Sequence, residues 1–218
     1  MLTQIAIMAA QHHLFIAGGF AVIDDSDLPR DLPRGTKTLL LLAPLEPGFW
    51  PHLTAQPEWD GAPDPMDRWS RRVIGRMACD LGAKALFPFG GPPYHPFYQW
   101  ALRSGRAWDS PVRLLVHDTM GLFASYRGAL ALKEAVALPA PGAKPCEACP
   151  DKPCLTACPP RALTGAGYEV PACHQFLNDT AGKECLTQGC GVRRACPVSR
   201  IYARMPVQSA YHMGQFHK

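Results

Sequence analysis

The chain has 218 residues, 47% of them hydrophobic and 18% charged, with a formal net charge of +4. That length and balance suit one full domain plus a small second unit and exclude a disordered chain. The longest apolar run, residues 38–45, falls far short of the roughly 20 residues a membrane-spanning helix needs, and residues 1–10 have neither a basic start nor a small-residue cleavage site, so a cytoplasmic protein without a membrane partner is expected.

Residues 2–10 repeat apolar side chains at helical spacing and predict a first helix, followed by a β-rich, Gly-interrupted run over 14–23. A polar, Pro-containing connection leads to residues 38–43, whose unbroken Leu run predicts a buried strand. Asp64-Pro65 opens the most clearly marked helix, with Asp64 as N-cap and Pro65 at the first helical position. Met66, Trp69, Val73, Ile74, Met77 and Leu81 form its apolar stripe and Gly82 its C-terminal cap. Cys79, on the same helix, is expected as a core thiol. Residues 85–89 predict a third strand ending at Gly90-Gly91-Pro92-Pro93, and 96–103 a short helix. Residues 111–117 and 122–132 read as two β-runs joined into a hairpin at Asp118-Thr119-Met120-Gly121. The fold class is therefore α+β. The expected division is an α+β cofactor- or substrate-binding domain over 1–137, a Pro- and Ala-rich linker over 138–144, a small cysteine-rich domain over 145–205 and a tail over 206–218.

Eight of the nine cysteines fall between Cys146 and Cys196. The odd total and the absence of a secretory signal favour a ligand set over a disulfide framework. The first group is Cys146, Cys149, Cys154 and Cys158-Pro159; the second is Cys185, Cys190 and Cys196-Pro197, with Cys173 between them. Closely spaced cysteines ending in Cys-Pro are the ferredoxin pattern for two 4Fe-4S clusters, in which the Cys of each Cys-Pro ligates the other cluster. Proline suits that place because a helix starts there and the missing N–H would have had no partner. Crossing then gives Cys146, Cys149, Cys154 and Cys196 to one cluster, and Cys158, Cys173, Cys185 and Cys190 to the other. Zinc is the rival, but its structural sites usually pair two short Cys hooks across a longer loop. Residues 144–218 hold nine Lys and Arg against five Asp and Glu, while residues 1–143 hold thirteen of each. This surplus is read as offsetting anionic clusters rather than as a nucleic-acid surface.

Residues 111–200 resemble the epoxyqueuosine reductase family, cobalamin-dependent enzymes with a corrinoid-binding domain and a double-cluster ferredoxin module. The likeness rests on Val116-His117-Asp118-Thr119-Met120-Gly121-Leu122-Phe123, on Gly128-Ala129-Leu130, and on the cysteine order with its isolated Cys173. In that family the isolated cysteine joins the Cys of the first Cys-Pro on the second cluster. The front part also resembles the cobalamin-processing decyanase and dealkylase family linked to the cblC disorder, at Asp64-Pro65-Met66-Asp67, at Val116-His117 with Gly121, and at Tyr126-Arg127-Gly128. These resemblances imply a nitroreductase-like, corrinoid-binding front domain with Arg127 near a corrin or thiol-cosubstrate pocket; the residue alone reads equally well as a salt-bridged strand arginine. The chain departs from epoxyqueuosine reductases in offering only Asp109 as a loose match for their catalytic Asp, and it ends soon after the cysteines, without their helical-repeat extension. Reduction of a tRNA base is therefore not the expected activity.

The run from Phe87 to Tyr94 makes Phe89, Gly90, Gly91 and Tyr94 candidates for lining a flat cofactor, or an ordinary packed turn. His117 and Tyr126 join them by position beside the resembling segments, His117 reading also as a hydrogen-bonded strand-end residue. His12, His13, His52 and His95 follow no ligand spacing, and neither a phosphate loop nor a nucleophile and base pair stands out. The expected function is single-electron transfer through two 4Fe-4S clusters, from an electron-donor protein or reductase to a corrinoid, as an oxidoreductase. The alternatives are a ferredoxin-type carrier with a partner-docking front domain, and a cobalamin-processing or carrier protein.

Overall fold

A run of leucines buried at every position needs cover on both sides, because successive side chains of a strand point to opposite faces. The computed structural model describes residues 1–23, 32–138 and 140–218; most of the polar connection expected after residue 23, and Pro139 of the linker, lie outside the described residues. In chain order the elements are α1 (Leu2–Ala10), β1 (Leu14–Ala21), β2 (Thr38–Pro44), α2 (Phe49–Thr54), α3 (Pro65–Asp80), β3 (Lys84–Leu86), α4 (Phe97–Arg103), β4 (Ala107–Asp109), β5 (Leu115–His117), β6 (Gly128–Leu132), α5 (Val170–Asn178), α6 (Lys183–Gln188), α7 (Gly191–Ala195), α8 (Pro197–Ile201) and α9 (Pro206–Phe216). The fold is α+β with small antiparallel sheets. No helix among the described residues is long and apolar enough to cross a membrane.

Two compact units emerge, and their boundaries differ from the expected ones: the first is Met1–Arg106 with Ser125–Gly142, the second Ala107–Ala124 with Ala143–Lys218. The first unit is built on an antiparallel sheet in the order β1-β2-β6-β3. Every residue of the two central strands, β2 and β6, is buried. Helix α3 packs on β3 and β6, while α1 and α4 pack on β1. The stripe of α3 follows its spacing at Met66, Trp69, Val73, Ile74 and Met77, which are buried, while Leu81 falls just past the helix and is only half-buried. Its C-terminus closes at Gly82, φ +60, where Ala83 N–H reaches the Ala78 carbonyl at 2.8 Å and Gly82 N–H the Cys79 carbonyl at 3.2 Å.

Several expectations are corrected. Asp64 precedes the helix in the left-handed region, and its side chain makes no capping bond. Cys79 is exposed, since it follows the buried Ala78 by about 100° of helical turn and leaves the stripe. The third strand stops at Leu86, before the aromatic loop. The turn at residues 118–121 exists, with His117 and Gly121 exchanging backbone bonds of 3.0 and 2.9 Å, but it does not join β5 to β6. Instead β5 pairs with β4, and β6 joins the sheet of the first unit. Residues 206–216 form α9, which packs on α6, where a tail was expected.

In the second unit Val112, Val116, Leu122, Leu163 and Val192 form a buried core with Cys154 and Cys196. Cys146, Cys158 and Cys190 pack against it, so five of the candidate thiols are seated on one apolar floor. Gly121 closes this floor: at φ +57 it lies where a Cβ would collide with the Ser199 backbone, and the Ser199 hydroxyl accepts the Leu122 N–H at 2.8 Å.

Candidate metal centres

All the cysteines are free thiols. Cys146 and Cys149 lie on the loop that opens the second part of this unit, and Cys154 is held in the short 3-10 turn Pro153–Leu155. Cys196 is the N-cap of α8, with Pro197 first in that helix. Cys158 lies in the loop before a tight turn, Cys173 in the first turn of α5, Cys185 in α6, and Cys190 at the N-cap of α7.

The electrostatic neighbours of four of the thiols follow the crossed sets. Burial, then the neighbouring Cys154, Cys196 and Cys149, push the Cys146 thiol pKa up; burial, then Cys196 and Cys149, do the same to Cys154. Cys173 is raised by burial and by Cys190 and Cys158, and Cys185 by burial and by Cys190. Each of these repulsions joins members of one crossed set: Cys146, Cys149, Cys154 and Cys196, or Cys158, Cys173, Cys185 and Cys190. Buried thiols repelled by their neighbours, as Cys146, Cys154, Cys173 and Cys185 are, resist ionisation unless a cationic centre sits among them. That is the donor set a polynuclear iron site requires, and the residues fit the group.

Hydrogen bonds and cations reinforce the thiolate form. Cys158 Sγ accepts the Leu163 N–H at 3.4 Å. Lys144 stands near Cys146, and Arg194, paired with Glu184 at 2.6 Å, near Cys185. Arg193 is driven down by burial and supported by Cys190 and Tyr168, and it donates to the Leu122 carbonyl. Tyr168 is itself pushed far up, first by burial and then by its bond to Cys173. Sequence reading missed Tyr168 and Arg193. The signals were there in the Gly-rich turn that sets an aromatic five residues before Cys173, and in a cation three residues after Cys190. Among the described residues no three His, Cys, Asp or Glu side chains converge closely enough to share one metal ion. A four-iron cubane makes another demand, since each thiolate binds a different iron and the sulfurs stand further apart than around one zinc at about 2.3 Å.

A cleft of about 440 Å³ beside Cys146 and Cys149 is lined by Asp109, Ser110, Lys144, Glu147 and Lys152. Asp109, the loose positional match for a catalytic Asp, thus lies next to the first set of thiols.

The other candidates divide between the units. His117, in the second, is fully buried, and its Nδ1 accepts from Thr119 N–H at 3.0 Å and Met120 N–H at 3.3 Å, the bond pattern of a strand-end residue organising its own turn. In the first unit Arg127 is buried. Its Nη2 meets Asp67 Oδ1 at 2.5 Å, its Nε donates to Ser70 Oγ at 3.2 Å, and its guanidinium lies 5.5 Å from the Phe89 ring centroid. Burial raises the Asp67 carboxyl even beside that guanidinium. Arg71 covers the other aromatic contacts, 5.2 Å from Phe89 and 5.8 Å from Phe87. A Cβ on Gly90, φ +85, would strike Arg71, and one on Gly91 would strike the backbone of Pro93 and Tyr94. The glycine pair is therefore required by the loop's own packing. Tyr94 is exposed and Tyr126 buried.

Compared with protein-family models, with curated proteins and with solved structures, the chain finds no match.

Proposed function

We propose that the chain is an iron–sulfur electron-transfer protein whose eight thiols between Cys146 and Cys196 hold two 4Fe-4S clusters. What supports this reading is the crossed Cys-Pro spacing, together with the thiol repulsions at Cys146, Cys154, Cys173 and Cys185, each of which stays within one crossed set. Two such clusters, when bound, accept and release single electrons. The chain's own part is to seat the thiols on the Val112, Val116, Leu122 and Val192 floor, to exclude water from Cys154 and Cys196, and to aim the Leu163 N–H at the Cys158 sulfur. Anaerobically purified protein should contain about eight iron and eight sulfide per chain. Stoichiometric zinc without sulfide would overturn the proposal.

As electron acceptor we propose a corrinoid on the first unit, supplied by a donor protein or reductase through the second. Its support is the resemblance at Asp64-Pro65-Met66-Asp67 and Tyr126-Arg127-Gly128, both in that unit. Anaerobic titration should perturb the hydroxocobalamin spectrum with a dissociation constant in the micromolar range or tighter, about −8 kcal/mol. An unperturbed spectrum would leave an electron carrier whose first unit serves another partner.

A further inference from the structure

A second cleft of the cysteine-rich unit, of about 350 Å³, is lined by Pro159, Glu184, Cys185, Gly191, Arg194 and Arg200 among others. Of the eight candidate thiols only Cys185 lines it, so the cleft meets the second set at one sulfur and is not the space that the four would share. Two guanidinium groups frame it, each fixed by a backbone carbonyl: Arg194 Nε donates to the Gly189 carbonyl at 3.0 Å, and Arg200 Nε to the Arg194 carbonyl at 3.3 Å. Arg194 also pairs with Glu184 at 2.6 Å, which neutralises the carboxylate on the lining. Arg200 is exposed and has no carboxylate partner among the described residues. The cleft at Cys146 and Cys149 differs, since its two lysines, Lys144 and Lys152, stand with two carboxylates, Asp109 and Glu147. The cationic excess is therefore at Cys185. Ile201, which follows Arg200 in α8, is 82% exposed and sets an apolar side chain next to that cation.

We propose that this cleft is the electron entry port and that it docks a small acidic one-electron carrier protein, whose carboxylates meet Arg200 at the lip while its redox centre comes up to Cys185; this rests on the iron–sulfur reading above. The carrier is oxidised by one electron and the cluster held by Cys158, Cys173, Cys185 and Cys190 is reduced by one, with no bond formed or broken. A cluster bound by four thiolates is itself anionic, so an acidic carrier is repelled unless cations stand at the contact. Arg200 supplies that charge at the lip, and the formal net charge of +4 acts in the same direction at longer range. Redox encounters bury little surface, below about 1,200 Å² in total. A steering cation with one exposed apolar side chain suits such a partner better than a wide apolar face would.

The probe is an acidic flavodoxin reduced to its anionic hydroquinone, which becomes the neutral semiquinone on losing one electron. Anaerobic stopped-flow measures the second-order rate of semiquinone formation with wild type, Arg200→Glu and Arg200→Gln, each first assayed for iron and sulfide. Glutamine keeps a donor for the Arg194 carbonyl and removes only the charge, so it carries the test should the reversal cost iron. Arg76→Glu, on α3 in the first unit, changes the net charge as much as Arg200→Glu does and serves as the control. At low ionic strength Arg200→Glu should react about tenfold more slowly than wild type, Arg200→Gln about threefold more slowly, and Arg76→Glu within about twofold of wild type. The differences should close toward 1 M salt, where the screening length falls to about 3 Å. Methyl viologen radical, a small cation, should reduce Arg200→Glu at least as fast as wild type, which shows that the cluster itself is intact. Equal rates for wild type and both Arg200 variants, or an equal fall with Arg76→Glu, would overturn the port. So would a wild type that methyl viologen reduces and the flavodoxin does not, or loss of iron from both Arg200 variants, which would make Arg200 a holder of the fold. Wild type without iron and sulfide would instead sink the underlying reading.

Discussion

Arg127→Met tests whether the buried guanidinium of the first unit is there for the fold. Methionine keeps an apolar stem of similar length and discards the donors to Asp67 and Ser70 and the cation over Phe89. A hydrogen bond to a charged group contributes about 1.5–3 kcal/mol; the lower part of that range applies because the Asp67 side chain is 33% exposed and regains water when Arg127 leaves. The expected cost is about 2 kcal/mol, or about 1 M in the urea midpoint for a slope near 2 kcal/mol per M. Four of the five tryptophans, Trp50, Trp59, Trp69 and Trp100, belong to the first unit, so tryptophan fluorescence reports mainly on it. The pH dependence has a definite sign. Burial already raises the Asp67 pKa with Arg127 opposing it, and removing the cation raises it further. The stranded carboxylate therefore destabilises the variant at pH 7, and the penalty shrinks as pH falls and Asp67 takes up a proton. Adding Asp67→Asn to Arg127→Met should restore part of the loss. A variant as stable as wild type at pH 7 that no longer perturbs the hydroxocobalamin spectrum would refute this reasoning and make Arg127 a ligand contact.

The crossed pairing predicts which double substitutions are redundant. Cys158→Ser with Cys173→Ser should cost no more iron than either change alone, about half the total, whereas Cys158→Ser with Cys146→Ser should remove nearly all of it; the reverse pattern would show that each Cys-Pro serves its own group. Cys79→Ser should leave iron content unchanged, because this thiol is exposed on α3 in the first unit whereas both candidate sets belong to the second, and a loss of iron there would expose a ligand overlooked in the sequence.

Where one physical signal dominated, the sequence was legible. The all-Leu strand β2 and the stripe and Gly82 cap of α3 appear as their spacing predicts, since both bury their apolar sets against the same sheet. Cys-Pro reads as a helix start for a different reason, and α8 does begin at Pro197, whereas Pro159 opens a turn and no helix. Pairing between strands was not legible. Ala107–Asp109 is only three residues long and gives no periodicity, while the conspicuous turn at residues 118–121 suggested a hairpin between its flanks. Its outgoing segment runs instead through a stretch without strand structure before β6 joins the larger sheet. Asp64 failed as a cap because its backbone is left-handed, and residue type alone cannot show that. The Phe87–Tyr94 segment was ambiguous in the sequence because a glycine pair relieves a crowded turn as readily as it admits a ligand. Here Arg71 and the loop's own backbone already occupy the space a Cβ would take.

The chain passes between its two units three times, after Arg106, Ala124 and Gly142. The Pro- and Ala-rich linker looks like the natural place to cut, yet everything downstream of it lacks Val112, Val116 and Leu122, three of the most deeply buried members of the floor beneath the cysteines. The cysteine unit is therefore no detachable cartridge. A fragment starting at the linker should reconstitute poorly however complete its set of thiols, and joining two finished modules end to end at that point would not reproduce this architecture. Whatever lineage produced it had to interleave the two parts, which ties the integrity of the cysteine-rich half to a ribbon encoded inside the other.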